Sequence, residues 1–249
     1  MEMNLMTGET HTVWDAGGGQ VQEVAPLTPG KALLTVLGPG SRWTLLSLDL
    51  ERKEVDTLCP GRAGTYVPEL DSVLFYSGTL DQPVLELAPL AQPSLGRRIM
   101  EGHGQFQFNN GIRQSMLSPP VRVSKYTYAV LTSEFRIALV NVQTGDTRTL
   151  RTSQCWPQAF REAKGTLICV RVPSFTPVEL DLASETATEL PGLDTYALVY
   201  TGSSDQLLFG HTVGELFARH PYDIAAYAFD GRRRSVGWGS LSSGYCRAE

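Results

Sequence analysis

Leu46-Ser47-Leu48-Asp49-Leu50 followed by Leu58, Ile137-Ala138-Leu139-Val140-Asn141-Val142 followed by Leu150, and Pro177-Val178-Glu179-Leu180-Asp181-Leu182 followed by Leu190 are three copies of one phrase. In each, a strand-like run ends in Asp or Asn plus an apolar residue, and a closing Leu falls eight positions later. Alternation places Leu46, Leu48 and Leu50 on one face of a strand. The turn after Asp49-Leu50 reverses the chain and Val55 to Leu58 returns beside it, so the phrase reads as a β-hairpin. Thr144-Gly145-Asp146 and Asp230-Gly231 supply glycine where such turns need positive φ.

Outward from these copies the pattern recurs in weaker form. Asn4-Leu5-Met6-Thr7-Gly8-Glu9-Thr10-His11-Thr12-Val13 matches Asn141 to Leu150 position for position, a degenerate copy runs from Val84 to Leu95, and a shortened one from Ala225 to Val236. The intervals are about 40 to 50 residues, the length of one four-stranded repeat unit. Short β-branched and aromatic runs precede the hairpins: Lys31 to Leu37, Ser72 to Ser77, Thr127 to Leu131, Thr166 to Val172 and Asp205 to Gly210. Bounded by glycine, proline or polar turns, they read as buried inner strands. Gly or Pro interrupts every candidate amphipathic helix, so the chain is all-β.

Period and strand order together resemble the β-propeller superfold, in the broad group of WD40-like and TolB-like repeats, over residues 1–249 as a single domain. The resemblance implies five complete blades near 20–60, 62–104, 114–153, 154–192 and 194–237. A sixth blade is expected to be shared by the termini, the N-terminal copy being completed by the segment Trp238 to Glu249. Six blades are therefore expected, with five as the alternative. No specific family is named, because Trp14-Asp15 is single and Gly102-His103 and Gly210-His211 stand in different contexts within their repeats.

Composition narrows the functional classes. A net charge of -5 argues against a nucleic-acid partner. Met1 to Thr7 holds no basic region followed by an apolar stretch, and no later run reaches a transmembrane length, so the reading is a cytosolic chain with no membrane partner, monomeric by itself. Cys59, Cys155, Cys169 and Cys246 lack the C-x-x-C spacing of zinc ribbons and redox motifs and read as free thiols, with Cys169 a small core residue. The four histidines show no H-x-x-x-H or H-E-x-x-H pattern, so no metal or cofactor is expected. No G-x-S-x-G nucleophile elbow and no phosphate-binding glycine loop is present. Asp49, Asn141 and Asp181 recur at one repeat position, which marks them as turn supports rather than catalytic groups.

Function is sought where the period breaks. The insertion 101–114 gathers His103, Phe106, Phe108, Asn109 and Arg113, a mixture that grips a polar ligand or a partner surface. Its structural reading is a crossover whose amides satisfy backbone groups. A second long loop, 211–223, carries Phe217, Arg219, His220 and Tyr222, the composition of an interface anchor. Folding back to bury Leu216 and Phe217 is its structural reading. The expected function is a non-enzymatic propeller scaffold that binds a protein partner through loops on one face, a bacterial toxin-neutralising immunity protein being one concrete version. The alternative is an enzyme or carbohydrate-binding propeller with a polar site at the central channel.

Overall fold

The computed structural model describes residues 2–3, 10–11, 14–15, 19–79, 82–101, 106–107, 113–114, 119–132, 136–153, 155–171, 174, 176–190, 198–201, 206–211, 222–229 and 233–239. In chain order, β1 (Glu2–Met3) and β2 (Thr10–His11) pair as a small ribbon. Sheet I holds β3 (Gln20–Pro26), β4 (Lys31–Gly38), β5 (Arg42–Asp49) and β6 (Val55–Pro60). Sheet II holds β7 (Arg62–Val67), β8 (Ser72–Gly78), β9 (Pro83–Pro89) and β10 (Arg97–Glu101). A second ribbon, β11 (Phe106–Gln107) with β12 (Arg113–Gln114), precedes sheet III, which holds β13 (Val121–Arg122), β14 (Thr127–Leu131), β15 (Arg136–Asn141) and β16 (Thr147–Ser153). Sheet IV holds β17 (Cys155–Arg161), β18 (Thr166–Arg171), β19 (Thr176–Asp181) and β20 (Ala187–Glu189). A last ladder joins β21 (Leu198–Thr201), β22 (Gln206–His211), β23 (Tyr222–Ala228) and β24 (Arg233–Gly239). Within each sheet, neighbours in sequence are antiparallel neighbours in space.

First strands of successive sheets pack against the sheet before them. β7 lies against β3, β4 and β5; β17 lies against β13, β14 and β15; and β21 lies against β17. Sheets stacked in this order bury both faces of their middle strands, so those strands are largely apolar. In β4, Ala32, Leu34 and Val36 pack with Leu48 on one face, and Leu33 turns to Val73, Phe75 and Ala88 of sheet II. One step on, Leu74 and Tyr76 of β8 meet Tyr128, Val130 and Val140 of sheet III. Ala129 of β14 turns the other way, to Leu167, Cys169 and Val178 of sheet IV. The chain therefore forms an all-β propeller, with period two along each strand deciding which neighbouring sheet a side chain meets.

The repeated phrase is accounted for at its turn. Asp49 Oδ1 accepts the N–H groups of Glu51 at 3.1 Å and Arg52 at 2.9 Å. Asn141 Oδ1 accepts those of Gln143 at 2.9 Å and Thr144 at 3.2 Å, and Asp181 Oδ1 those of Ala183 at 2.9 Å and Ser184 at 2.7 Å. Each is an Asx turn, a side chain closing the hairpin in place of backbone. The eight-residue spacing also has a cause: Val142 packs toward sheet II, and Leu150, at the far side of the turn, toward sheet IV.

Blade number differs from the sequence expectation. Sheets I to IV are the four blades with described packing; the last ladder repeats their strand order, with side chains described only at Phe229, just past β23. The expected sixth blade is not formed from the termini as proposed. Trp238 lies in β24 opposite Asp223, as the outer strand of the last ladder, whereas the N-terminal copy pairs only Glu2 with His11 and Met3 with Thr10. Neither the six-blade arrangement nor its five-blade alternative is the described packing.

Candidate functional site

The two ends of the ring are built differently. At the end where the first strands finish, neighbouring sheets are stapled. Arg122 of β13 pairs with Glu69 in the β7–β8 turn, Arg97 of β10 donates to the Val142 carbonyl, and Arg148 of β16 donates to the Leu182 carbonyl at 3.3 Å. Arg97 and Arg148 thus reach the residue after the Asx position in the next sheet. In addition, the Arg151 N–H donates to Glu185 at 2.7 Å. The turns at this end are scaffold.

At the opposite end the first strands begin, at Gln20, Arg62, Val121, Cys155 and Leu198. Here the chain passes from one sheet to the next through a single residue, Gly61, between sheets I and II, and again through Gln154 between sheets III and IV. Between sheets II and III it takes the whole of 102–120, with the β11–β12 ribbon inside it. The connection between second and third strands is also short in sheet I, a 3-10 turn at Pro39–Ser41, but spans 212–221 in the last ladder. Both insertions singled out in the sequence therefore leave from one end of the ring.

Of the candidate residues, Phe106 and Arg113 lie in β11 and β12, in register with Gln114 and Gln107. Tyr222 opens β23 opposite Gly239. His103, Phe108, Asn109, Phe217, Arg219 and His220 lie outside the described residues.

On β7 and β8, sheet II carries polar groups that the sequence reading passed over. Pro120, where the connection returns, accepts a hydrogen bond from Thr65 Oγ1 at 2.8 Å. Three residues earlier on β7, Arg62 is 4% exposed, and its guanidinium donates to the Thr79 carbonyl at 2.8 Å. Its Nε has no partner, and neither does the hydroxyl of Tyr76, the residue opposite Arg62 in register. Burial lowers the Arg62 pKa and raises that of Tyr76. An unsatisfied buried donor costs about 1–3 kcal/mol, so two side by side need a reason. The signal in the sequence was Gly61-Arg62-Ala63-Gly64, a charge set between glycines at the start of an inner strand; a β-bulge between Arg62 and Thr65, with Ala63 at φ 51, accompanies it.

A half-buried ionisable group sits between sheets I and II. Glu23, at a bulge in β3, accepts from Thr35 Oγ1 at 3.2 Å, and burial raises its pKa to about 7 against the smaller opposing effect of that hydrogen bond. A cleft of about 310 Å³ lies farther out along the same seam, lined by Leu58, Cys59, Pro60, Phe75, Glu86 and Pro93. Its carboxylate, Glu86, accepts from Ser77 Oγ at 2.6 Å. Cys59 in its wall is a free thiol, pushed up to about 12 by burial and then by the Glu86 charge. Cys155 and Cys169 are also free and buried. Among the described residues, no three His, Cys, Asp or Glu side chains converge as a metal site would require.

No protein-family model matches the chain, and no curated protein matches it in sequence. Solved structures resemble it in fold. A TolB described as putative from Agrobacterium tumefaciens superposes with a TM-score of 0.68 at 12% identity, over 96% of this chain and 90% of that one. TolB from Acinetobacter baumannii gives 0.62 at 14% identity, over 88% of this chain and 55% of that one. A chain of a nidogen/laminin complex gives 0.60 at 13% identity, over 86% of this chain and 77% of that one. At these identities the likeness is one of fold, a TolB-like propeller.

Proposed function

We propose that this chain is a non-enzymatic propeller scaffold that binds a protein partner at the end of the ring carrying the 102–120 and 212–221 connections. The observation that carries this reading is their shared origin. A scaffold that crosses between sheets through Gly61 or Gln154 alone has no folding need for two long connections, and both leave from one end. Phe106, Phe108 and Phe217 with Arg113, Arg219, Tyr222, His103, His220 and Asn109 give that end the aromatic and arginine content of interface anchors. One fold relative was solved as a nidogen/laminin complex, an instance of the architecture in a protein assembly. A cytosolic immunity protein against a toxin is the concrete version we favour, with the chain a monomer until its partner binds.

Capture on the immobilised full chain from extracts of its native cell, followed by mass spectrometry, tests this. A stoichiometric protein should be recovered, and Phe217→Ala with Tyr222→Ala should weaken its retention while leaving the unfolding midpoint in place. Repeated recovery of no stoichiometric protein, or unchanged retention by the double variant, overturns the assignment.

A further inference from the structure

The cleft between sheets I and II is lined from the outer strand of one and the outer half of the other. β6 contributes Leu58 and Pro60, and the turn between β9 and β10 contributes Pro93 and Gly96. β8 and β9 contribute Phe75 and Glu86, which stand opposite each other in register. Period two along β9 turns Leu85 and Leu87 to sheet III and Ala88 to sheet I. Glu86 therefore holds a half-buried place on the sheet I face, beside the buried Phe75 and Ala88.

One of its oxygens is accounted for: Oε1 accepts from Ser77 Oγ at 2.6 Å, which fixes the carboxylate. Oε2 receives no hydrogen bond, and no cation pairs with Glu86 among the described residues. Gly96 keeps Oε2 open, since a Cβ at that position would stand 3.6 Å from it. The turn itself does not call for glycine there, because φ -57 and ψ 142 are open to any residue.

A single carboxylate among apolar walls selects its ligand by sign and size. A hard metal ion needs several oxygen ligands, and no three acidic, His or Cys side chains converge among the described residues. An anion would be repelled. An ammonium or guanidinium satisfies Oε2 with a charge-assisted hydrogen bond, while the apolar remainder of the ligand meets Leu58, Pro60 and Pro93. Cross-strand neighbours stand about 5 Å apart at Cβ, so a cation held by Glu86 also lies near the Phe75 ring, which favours positive charge. The Cys59 thiol in the wall, pushed up to about 12, stays neutral and adds no second anion. At about 310 Å³ the cleft suits a small occupant, small-molecule sites running from roughly 300 to 1,000 Å³.

We infer that this cleft binds a small organic cation, a primary amine or guanidine on a short apolar body, with Glu86 as its anchor and Gly96 as the gap through which Oε2 is reached. The site is separate from the partner-binding end of the ring and does not depend on that reading.

The test titrates the full chain, at constant ionic strength, with three probes of one shape: benzylammonium, benzyl alcohol and benzoate. The readouts are calorimetry and the Gly96 amide resonance, identified by its loss in Gly96→Ala. We expect saturable binding of benzylammonium with a shift of that resonance, binding of benzyl alcohol weaker by about tenfold or more, and no binding of benzoate. Glu86→Gln keeps the shape and an acceptor for Ser77 and should reduce benzylammonium to the affinity of the alcohol. Gly96→Ala, whose Cβ would meet Glu86 at 3.6 Å and Ala88 at 3.4 Å, should leave the thermal midpoint in place and weaken benzylammonium. It decides the matter if Glu86→Gln does not fold. No saturable binding, equal binding of ammonium and alcohol, binding of benzoate, or an unchanged benzylammonium affinity in either folded variant overturns the proposal. Tighter binding of a blocked Gly-Lys-Gly tripeptide than of benzylammonium also overturns it, because the cleft would then serve a basic side chain of a partner.

Discussion

The Arg161 guanidinium lies 2.9 Å from the Glu179 carboxylate, on the side of sheet IV turned toward the last ladder. The same guanidinium stacks 3.5 Å from the centroid of the Phe229 ring, just past β23, and Thr166 Oγ1 donates to the same carboxylate oxygen at 2.7 Å. Only 6% of the Arg161 side chain and 15% of that of Glu179 is exposed. The Glu179 carboxylate thus accepts two charge-assisted hydrogen bonds at a mostly buried position, worth about 1.5–3 kcal/mol. Glu179→Gln should lower urea-unfolding stability toward that range, and Arg161→Lys should lose part of it because an ammonium does not reproduce the planar stack. Stability within about 0.5 kcal/mol of the parent for both would show that sheet IV and the last ladder are held together by other means.

The Asx turns make a different prediction, because they are exposed and local. Asn141→Ala removes the acceptor for two N–H groups and should cost about 1 kcal/mol in chemical unfolding. Asp49 and Asp181 occupy the same place with charge. The Arg52 N–H holds the Asp49 pKa below its ordinary value, and the Ser184 N–H does the same for Asp181. A lowered native pKa means the stabilisation is complete above the unfolded carboxyl's value and is lost as pH falls through the native one. Asp181→Asn should therefore flatten part of the acid-unfolding curve below pH 3.8, matching the parent where its carboxyl is protonated and falling below it at neutral pH.

Glu23 works in the opposite sense. Its carboxyl is raised from 4.5 to about 7 by burial at the seam between sheets I and II. Between those values the folded chain holds a proton that the unfolded chain has released, so stability falls as pH rises from 4.5 to about 7 and is level above. The span corresponds to a loss of up to about 3 kcal/mol. Glu23→Gln keeps the hydrogen bond from Thr35 without a charge and should remove this decline, being more stable than the parent at pH 8 and equal to it at pH 4. Parallel stability curves for the two proteins would refute the account.

These sites show what the sequence made legible. Asp49, Asn141 and Asp181 could be read as turn supports because a local hydrogen bond to residues two and three ahead needs only local sequence. The inner strands were legible because burial on both faces writes a nearly uninterrupted apolar run, as at Val73 to Tyr76. Blade closure was not: only strand register decides whether Trp238 joins the N-terminal copy or the outer edge of the last ladder, and it pairs with Asp223, fifteen positions back in its own hairpin. Arg62 and Tyr76 were missed for the same reason. Fourteen positions separate them, and neither residue type is unusual in a strand until register places one opposite the other. The Arg161–Glu179 pair and the Glu23–Thr35 bond likewise join residues that only strand order brings together.

Gly61 carries the last prediction. It is the one residue between β6 and β7, and its N–H donates to the Trp43 carbonyl at 3.1 Å. A Cβ there would stand 2.4 Å from Phe75 Cδ2 and 2.8 Å from Cε2, and Phe75 is a core ring only 2% exposed. Overpacking of this kind costs about 1–3 kcal/mol. Gly61→Ala should lower the urea midpoint by that amount, whereas Gly38→Ala, whose Cβ would meet only the Arg42 carbonyl oxygen at 3.6 Å, should change it little. Because Gly61 adjoins Arg62, the same substitution should also displace the guanidinium from Thr79 and shift its Nε–H resonance. A full loss of stability with that resonance unmoved would mean that the close approach to Phe75 and the buried cation are independent features of sheet II.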